Sequence, residues 1–424
     1  MTSEPRTSSK SALDVVGPPE KGIVWPLHGS NNLDTLVGER LPGNAFTLPV
    51  MTIDEQALAK NISAMANWCT EAGVDLAPHA KTTMSEQLLR RQMDAGAWGL
   101  TAATISQVMS LRSMGFTRIL LANELLDRVG VSWILDELND RGGFEFLCYV
   151  DSAQGVEFLD REVTSRSTGR RLPVLVELGH SGGRTGCRTP GEAEALALKV
   201  RQSAGLILAG VAGYEGSVGH DSASSTLQRV RDYATSLGKL ADRLHALVGY
   251  NQPFIVSAGG SAYFDVVAEA LVHATHTPVR RLLRSGAYVT HDDGFYRGIT
   301  PAARGVAGAP QFQSAVRVLA HVLSRPEPKL AIAGAGRRDV PWDEGLPKVD
   351  SVASPDGEPK PCAGLQIERL NDQHAFLKVP SGSSIAQGDV ISLAISHPCT
   401  VFDKWRVIPI VRDGRVVEVA TTRF

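Results

Sequence analysis

The chain has 424 residues, of which 43% are hydrophobic and 21% charged, and its 43 basic and 45 acidic residues give a formal net charge of −2. This composition is typical of a globular protein and excludes collagenous, disordered and disulfide-scaffold chains. Because the charges nearly balance and are spread along the chain, we expect no nucleic-acid or membrane partner.

The first part of the chain, residues 1–44, is predicted to form an N-terminal tail and arm, with a mobile segment rich in Ser and Pro at its start. This tail contains no apolar region like that of a secretory signal. The longest apolar stretch, near Ala204–Val211, is far shorter than the ~20 residues that cross a bilayer. Five scattered cysteines without a CxxC pair favour a reducing compartment. We therefore predict a cytoplasmic protein.

Residues 45–300 alternate short apolar runs with amphipathic helical patterns. After a first helix with a buried face at Leu58, Ile62, Met65 and Cys69, eight apolar runs follow at spacings typical of βα units. They are Val74–Ala77, Trp98–Ala102, Arg118–Ala122, Phe144–Val150, Leu172–Leu178, Leu206–Ala212, Phe254–Ser257 and Arg281–Leu283. Ser85 and Asp151 are candidate N-caps of two of the helices between them. The pattern predicts an α/β fold with a (β/α)8 barrel of the TIM type, with an open doubly wound sheet as the alternative.

Residues 301–424 have a different pattern and are predicted to form a second, C-terminal antiparallel β-domain. Polar and apolar residues alternate in Phe312–Leu323, Val390–Ile395, Trp405–Val411 and Val416–Val419. Between the first two of these runs, Pro341 to Pro361 contains five prolines and is predicted to be a loop or linker.

Lys81 follows the first predicted barrel strand, and carboxyl strand ends face the active site in this fold. An isolated lysine is usually a solvated loop residue, but other polar and glycine-rich turns follow the remaining strands. Two of them, Gly259–Ser261 and Gly286–Tyr288, follow the last two strands, where barrels usually bind phosphate through backbone N–H groups. A lysine amine and a phosphate cradle at one barrel mouth indicate pyridoxal 5'-phosphate, with the cofactor aldehyde attached to Lys81.

A second candidate site lies near the C-terminus, at Ser396-His397-Pro398-Cys399. On an extended segment His397 and Cys399 would point to the same side and could bind one ion. Imidazole and thiolate are typical zinc ligands, although an H-x-C pair alone is more often a packed cysteine near an unrelated histidine. Three further histidines are weaker active-site candidates because they lie beside strand-end loops: His79, His180 and His291.

These segments together resemble the D-serine dehydratase and D-threonine aldolase family of alanine-racemase-like, fold-type III pyridoxal phosphate enzymes. The resemblance covers most of the chain from about Ala45. It is carried by PHAKTTMSEQLLRRQMDAGAWGLTAATISQVMSL, ILLANELLD, VELGHSGGRTG, AGYEG, SAGGS, RSGAYV, LNDQHAFL and SHPCTVFDKWRV.

The resemblance implies a homodimer and a role for each matched residue. Lys81 would bind the cofactor covalently, Arg184 would contact its phenolic oxygen, and Tyr214 would lie near its pyridine nitrogen. His397 and Cys399 match the family's metal ligands, and the H-x-C form resembles the zinc-dependent dehydratases. The residues expected around the cofactor phosphate are Gly259, Gly260, Ser261, Gly286 and Ala287.

The expected function is that of a dehydratase, or ammonia-lyase, which converts a D-3-hydroxy amino acid such as D-serine or D-threonine to a 2-oxo acid and ammonia. The alternative is a metal-dependent aldolase that breaks the bond between the α and β carbons. A racemase needs no metal, so the H-x-C pair argues against it. A cofactor-carrier protein would consist of the barrel alone, so the strand-rich region after Thr300 argues against that interpretation.

Overall fold

The structure is a computed structural model that describes residues 20–24, 32–140, 143–166, 169–249, 254–355 and 357–424. The mobile tail predicted for the start of the chain lies outside the described residues, except for its last positions. The α-helices are α1 (Glu55–Glu71), α2 (Glu86–Asp94), α3 (Ile105–Ser113), α4 (Arg128–Asp140), α5 (Ala153–Thr164), α6 (Pro190–Gln202), α7 (Ser224–Val248), α8 (Phe264–Ala274) and α9 (Phe295–Ile299).

The strands are β1 (Val50–Asp54), β2 (Asp75–Leu76), β3 (Leu100–Ala102), β4 (Arg118–Glu124), β5 (Glu145–Val150), β6 (Leu172–Leu178), β7 (Leu206–Gly213), β8 (Ile255–Ser257), β9 (Arg280–Leu283), β10 (Val316–Glu327), β11 (Leu330–Ala333), β12 (Lys348–Ala353), β13 (Lys360–Pro361), β14 (Gln366–Leu370), β15 (Ala375–Lys378), β16 (Val390–Ala394), β17 (Val407–Arg412) and β18 (Arg415–Thr421).

The chain divides into two compact units. The barrel unit comprises Ala59–Gln313 with Arg423–Phe424, and the β unit comprises the described residues up to Leu58 with Ser314–Thr422. None of the helices in the described part of the chain is long and apolar enough to cross a membrane.

The barrel unit contains a parallel sheet of eight strands in the order β2-β9-β8-β7-β6-β5-β4-β3. Each of the eight predicted apolar runs overlaps one of these strands, and a helix or helical turn follows each. A parallel bridge between His79, just after β2, and Thr101 of β3 joins the two ends of the sheet. Every strand therefore has a neighbour on both sides, which confirms the barrel rather than the open sheet.

The inside of the barrel is filled by apolar side chains from alternate positions of its strands. This buried cluster consists of Ala77, Leu120, Leu147, Tyr149, Leu175, Ala212, Ile255 and Leu282. Side chains two residues further along a strand point to the same face, so the residues after these face the barrel mouth. The alternation seen in sequence thus determines which polar residues reach the site.

The two predicted N-caps have different outcomes. Ser85 is the N-cap of α2, as predicted. The N-cap of α5 is Ser152 and not Asp151, because the Ser152 hydroxyl accepts the Gly155 N–H. The Asp151 carboxylate accepts the N–H of Gly186 instead, so it takes part in the barrel mouth and not in the helix end.

The β unit contains a ten-stranded sheet whose central path is β13-β12-β16-β10-β1-β17-β18, with β11, β14 and β15 branching from β10. Most pairs are antiparallel, and β1 with β17 is parallel. The four predicted alternating runs overlap β10, β16, β17 and β18, which confirms the C-terminal β-domain.

The predicted boundaries at residues 45 and 300 differ from the observed ones. Strand β1 pairs with β10 and β17 and belongs to the β unit, and the barrel unit extends to Gln313. Part of the predicted N-terminal arm also folds here, since Ile23, Leu36 and Leu41 are buried in one cluster with Val407 and Val416. Local periodicity does not reveal pairing between strands that lie about 265 residues apart. The boundary predicted at residue 45 therefore assigned β1 to the barrel instead of the β unit.

The predicted linker Pro341–Pro361 is not a continuous loop. Lys348–Ala353 forms β12, which pairs with β16 along its length. The six residues lie between Pro347 and Pro355 and contain no proline, so every N–H needed for a ladder is present.

Candidate active site

Lys81 lies at the mouth of the barrel. It is exposed on a short 3-10 turn, Ala80–Thr82, that follows β2 directly. The bridge from His79 to Thr101 fixes the start of this turn to the neighbouring strand. The lysine amine is thus presented at the carboxyl end of the barrel by backbone that the sheet itself holds in place.

The loop after β9 approaches the lysine turn so closely that only glycine fits. A Cβ atom at Gly286 would lie 2.7 Å from the His79 carbonyl oxygen and 2.9 Å from Thr82 Oγ1. Both are shorter than any normal contact of a side-chain carbon, so a side chain here would displace the lysine turn. The lysine and the last loop of the barrel therefore form one continuous surface.

The two loops predicted to bind phosphate are adjacent. The Ala287 N–H donates to Ser261 Oγ at 3.1 Å, and the Ser285 hydroxyl donates to the Gly260 carbonyl at 3.0 Å. Among the described residues, the N–H groups of Ser261 and Gly286 have no hydrogen-bond acceptor. These two amides and the Ser261 hydroxyl are suited to an anion, as a phosphate cradle requires.

Two of the amides predicted for the phosphate have another acceptor in this structure. The N–H groups of Gly259 and Gly260 donate to the two carboxylate oxygens of Glu215, at 3.0 and 2.6 Å. Glu215 is fully buried and sequence reasoning assigned it no role, although it is the acidic residue of the AGYEG segment after β7. Glu215 therefore fixes the conformation of the glycine turn. The N–H groups of Gly259 and Gly260 are already bonded to it and are not free to bind a phosphate.

Arg184 and Tyr214 meet at the barrel mouth. The Arg184 guanidinium carbon lies 5.2 Å from the centre of the Tyr214 ring, a cation–π distance. Tyr214 is fixed through its backbone, because its N–H donates to the hydroxyl of Tyr233 at 3.0 Å. Nearby, a ring nitrogen of His180 lies 2.8 Å from Ser217 Oγ, which joins the loops after β6 and β7. The structure thus brings together side chains that the sequence places 30 residues apart.

His79 is held neutral beside the lysine. Burial, followed by the charges of Lys81, Arg284 and Arg184, lowers the pKa of His79 well below its usual value, against a hydrogen bond with the Thr101 backbone. The ring is therefore uncharged at neutral pH and can accept a hydrogen bond. Its Nδ1 atom is buried and has no partner among the described residues.

Arg284 is a buried cation at the end of β9 that sequence reasoning did not assign. Its guanidinium donates to Ser257 Oγ and to the Gly213 carbonyl, both at 2.6 Å, and so joins the ends of three strands. The ring centre of Tyr149 lies 5.9 Å from its guanidinium carbon. The signal in the sequence was a charged residue directly after an apolar strand, in the RSGAYV segment.

Three carboxylates lie together at the ends of β4, β5 and β6. Oxygen atoms of Glu124, Asp151 and Glu177 all lie within 4.8 Å of one another. Burial and the charge of Glu177 raise the pKa of Glu124 to about 8. In the part of the chain that the structure describes, this is the one group of three or more such residues with metal-binding spacing.

His397 and Cys399 lie in the β unit and are close together, although not for the predicted reason. Pro398–Thr400 forms a 3-10 turn and not an extended segment, so the strand geometry that we expected is wrong. Burial lowers the pKa of His397, but hydrogen bonds and charges of Cys399 and Asp343 outweigh it and raise the pKa to about 9. The turn therefore brings imidazole and thiol together as a strand would have done.

Asp343 completes this group and was missed in the sequence. Its carboxylate lies 2.7 Å from His397 Nδ1 and accepts the Thr400 hydroxyl at 2.7 Å. Metal-binding histidines commonly donate one ring N–H to a carboxylate, which orients the other nitrogen toward the ion. Nitrogen, sulfur and this supporting carboxylate fit zinc.

The remaining histidine candidate, His291, is buried against Phe312 at a ring distance of 5.8 Å.

A closed eight-stranded barrel with a lysine at the mouth, together with a C-terminal β unit, defines the architecture of fold-type III pyridoxal phosphate enzymes. The family model "Alanine racemase, N-terminal domain" matches residues 53–280, and the "Putative serine dehydratase domain" model matches residues 315–411. The first match covers more than half of the chain. The protein therefore belongs to the alanine-racemase-like family of these enzymes.

The relatives of this chain are lyases of two kinds. It is 27% identical to D-threonine aldolase of Arthrobacter sp. over 88% of this chain and 90% of the relative. It is 25% identical to D-threo-3-hydroxyaspartate dehydratase of Delftia sp. over 83% of this chain and 90% of the relative. Among solved structures, D-threonine aldolase from Filomicrobium marinum matches with a TM-score of 0.76 and 25% identity, over 91% of this chain and 97% of that one.

Proposed function

We propose that the protein is a pyridoxal phosphate-dependent lyase of D-3-hydroxy amino acids, and specifically a zinc-dependent dehydratase that forms a 2-oxo acid and ammonia from a substrate such as D-serine or D-threonine. The observation that carries the dehydratase proposal is the contact of Cys399 with His397, in the H-x-C form that resembles the zinc-dependent dehydratases. A D-threo-3-hydroxyaspartate dehydratase that is 21% identical to this chain has been solved in a metal-free form with a cysteine replaced by alanine.

The residues of the barrel mouth fit the cofactor. Lys81 is exposed for covalent attachment. Because Gly286 has no side chain, its loop can lie directly against the lysine turn. Ser261 and Gly286 offer N–H groups for the phosphate, and Arg184 supplies a cation for the phenolic oxygen. When bound, pyridoxal phosphate supplies an electron sink for the negative charge left at the substrate's α carbon.

The chain's own groups would then bind the substrate and move its protons. The Lys81 amine takes the proton from the α carbon. His79, whose lowered pKa keeps its ring neutral, adds no charge beside Lys81. Arg184 and Tyr214 hold their shared position at the mouth through the contact between ring and guanidinium. Loss of water then gives an enamine that hydrolyses to the 2-oxo acid and ammonia.

His397 and Cys399 would hold the zinc ion, with Asp343 orienting the imidazole. Zinc supplies a Lewis acid for the β-hydroxyl group. We expect chelation to abolish elimination and to leave the cofactor absorbance unchanged, and we expect added zinc to restore activity. Cys399→Ala should prevent this rescue. The matched control is Cys362→Ala, a half-buried free cysteine of the same unit. Full activity of a metal-free preparation on D-serine would contradict the zinc proposal.

An aldolase is the second candidate, because D-threonine aldolases are similar over most of the chain. A product assay separates the two functions. The holoenzyme is incubated with D-serine, D-threonine and D-threo-3-hydroxyaspartate, and the products are measured by chromatography. A 2-oxo acid with ammonia indicates the dehydratase, and glycine with an aldehyde indicates the aldolase. Glycine as the main product from all three substrates would overturn the dehydratase proposal.

A further inference from the structure

We propose that Glu124, Asp151 and Glu177 form a binding site for a hard divalent cation inside the mouth of the barrel, built from different residues than the His397–Cys399 pair. Three carboxylates and no nitrogen or sulfur ligand favour Mg²⁺, Ca²⁺ or Mn²⁺ over zinc. The site would be a second metal centre of the molecule.

The barrel topology explains why these three residues meet. Strands β4, β5 and β6 are consecutive neighbours in the parallel sheet. Glu124 lies four residues after the inward-facing Leu120, and it is the register partner of the inward-facing Tyr149. Asp151 and Glu177 each lie two residues after an inward-facing residue, Tyr149 and Leu175 respectively. All three side chains therefore start from the inner face of the barrel, directly above its apolar filling.

The spacing of the carboxylates suits one ion. An oxygen atom from each residue lies within 4.8 Å of the other two. Oxygen ligands lie about 2.0–2.6 Å from Mg²⁺ or Ca²⁺, so ligands of one ion are at most about 5 Å apart. The three oxygens can therefore contact one cation without rearrangement of the backbone.

The negative charge of the group is not balanced by a salt bridge within the described residues. No lysine, arginine or histidine there forms an ion pair with Glu124, Asp151 or Glu177, whereas Arg304 and Asp265 form a largely buried pair elsewhere in the barrel unit. Arg284, a buried cation at the barrel mouth, donates to Ser257 Oγ and the Gly213 carbonyl instead. Glu177 is buried, and Glu124 and Asp151 are half-buried. Carboxylates removed from water without a counterion are costly, so a bound cation would stabilise this part of the fold.

Unpartnered polar atoms are a second sign of a ligand. Glu177 is 3% exposed, and its Oε2 has no hydrogen-bond partner among the described residues. The hydroxyl of Tyr149, which is not itself one of the acids, is also buried and without a partner on the same inner face. Buried polar atoms are nearly always satisfied in folded proteins. A hydrated cation would supply a positive charge for the carboxylate and water molecules for the phenol.

A shared proton between Glu124 and Glu177 is the competing explanation. One proton neutralises one carboxylate and leaves two negative charges, whereas a divalent ion neutralises two. A proton also provides no partner for the Tyr149 hydroxyl. The geometry and the charge of the group therefore favour the cation.

The test counts bound Mn²⁺ on the full-length holoenzyme by electron paramagnetic resonance of the free ion. The starting protein carries Cys399→Ala, so that the other predicted metal pair does not contribute. We expect saturable uptake of one Mn²⁺ per chain, displaced by Ca²⁺ or Mg²⁺. Adding Glu177→Gln should weaken the affinity at least about tenfold, because the ligand charge falls. Glu194→Gln is the matched control, since Glu194 is half-exposed on α6 and pairs with Arg243.

Glu124→Gln is a second variant in case Glu177→Gln does not fold, and circular dichroism checks both. If either folded variant binds Mn²⁺ as tightly as the Glu194→Gln control, the proposal is overturned. It is also overturned if the Cys399→Ala protein takes up no Mn²⁺, in which case a shared proton accounts for the acid group. Neither result affects the lyase proposal, whose test measures products.

Discussion

At the scale of single residues, burial decides the charge of the titratable groups in the barrel unit. His79 and His291 both have lowered pKa values, and the first cause in each case is loss of solvent. Glu124 shows the opposite shift for the same reason, since burial disfavours its charged form. A buried imidazole stays neutral and a buried carboxyl keeps its proton longer. The sequence gives the residue type, and the environment determines its protonation state.

The assignment of Lys81 gives a direct prediction. Reduction of the holoenzyme with borohydride should fix the cofactor mass on the peptide that contains Lys81, as read by mass spectrometry. Lys81→Ala should lose this attachment and reduce turnover by several orders of magnitude, because both the anchor and the base are removed. Lys239→Ala, on helix α7, is the control and should behave as the unmodified protein. A fixed cofactor at another lysine in Lys81→Ala would contradict the assignment.

His291 should make the protein sensitive to acid. Burial, the largest effect, lowers the pKa of His291 from its usual 6.5 to about 4. As the pH falls from 6.5 toward 4, the unfolded chain binds a proton that the folded chain does not. The free energy of unfolding therefore decreases over this window, by about 3 kcal/mol when complete. His291→Asn should remove this dependence, and Asn tolerates the left-handed backbone at φ 49°.

The measurement is urea unfolding between pH 7 and pH 4.5. The difference in unfolding free energy between the original protein and His291→Asn should shrink as the pH falls. His273→Asn is the control, because His273 is exposed on α8. Parallel pH curves for the original protein and His291→Asn would show that His291 does not titrate differently in the two states.

At the scale of elements, short turns after the strands carry the site. Each turn is fixed by a contact from a neighbouring turn, as in the donation of the Ala287 N–H to Ser261 Oγ. Gly259 has a φ of +93°, which a side chain rarely adopts, and a Cβ there would collide with Leu283. Such turns are rigid because strands on both sides hold them, so a site residue can be positioned by a residue that never touches the ligand.

Glu215 is the clearest case of such a positioning residue. Its two oxygens accept the N–H groups of Gly259 and Gly260, and glutamine can offer only one acceptor while turning an NH₂ group toward the other donor. Glu215→Gln should destabilise the fold by about 2 kcal/mol, the cost of an unsatisfied buried donor. It should also weaken cofactor affinity more than it lowers turnover at saturating cofactor.

Thermal melting and cofactor titration followed by absorbance measure the two effects. Glu269→Gln, an exposed acid that pairs with Arg231, is the control. Unchanged stability and unchanged cofactor affinity in Glu215→Gln would remove the positioning role from Glu215.

At the scale of the whole molecule, each unit is assembled from distant parts of the chain. The β unit combines β1 with strands that begin at Val316. In sequence, the barrel unit is therefore inserted between two parts of the same sheet. Cleavage or truncation near residue 300 would not release a complete β unit, because β1 lies between β10 and β17. The two units therefore fold from one continuous chain and not as independent N- and C-terminal domains.

The dimer implied by the family resemblance is testable by sedimentation. The chain has a mass of 45.3 kDa, so the holoenzyme should sediment as a particle of twice that mass. Exposed apolar side chains beside the carboxyl end of β4, such as Leu126 and Val129, favour association because their burial is stabilising. A single-chain mass at micromolar concentration would contradict the prediction.

The sequence by itself determined the local architecture of this protein. The eight barrel strands, the helices between them and the lysine at a strand end were predictable because alternation and 3.6-residue periodicity are local properties of the chain. A phosphate site at the barrel mouth was also predictable, because the glycine-containing turns Gly259–Ser261 and Gly286–Tyr288 follow consecutive strands. Two of the predictions that failed involve partners far away in sequence: β1 pairs with β10, and Glu215 accepts the amides of Gly259 and Gly260.

Only the tertiary structure decided which polar groups meet. Glu124, Asp151 and Glu177 lie on three different strands, and Asp343 lies more than 50 residues from His397. Their proximity depends on strand order, register and the inward or outward direction of each side chain. These are set by the packing of the whole barrel and the whole β sheet, which no local pattern encodes.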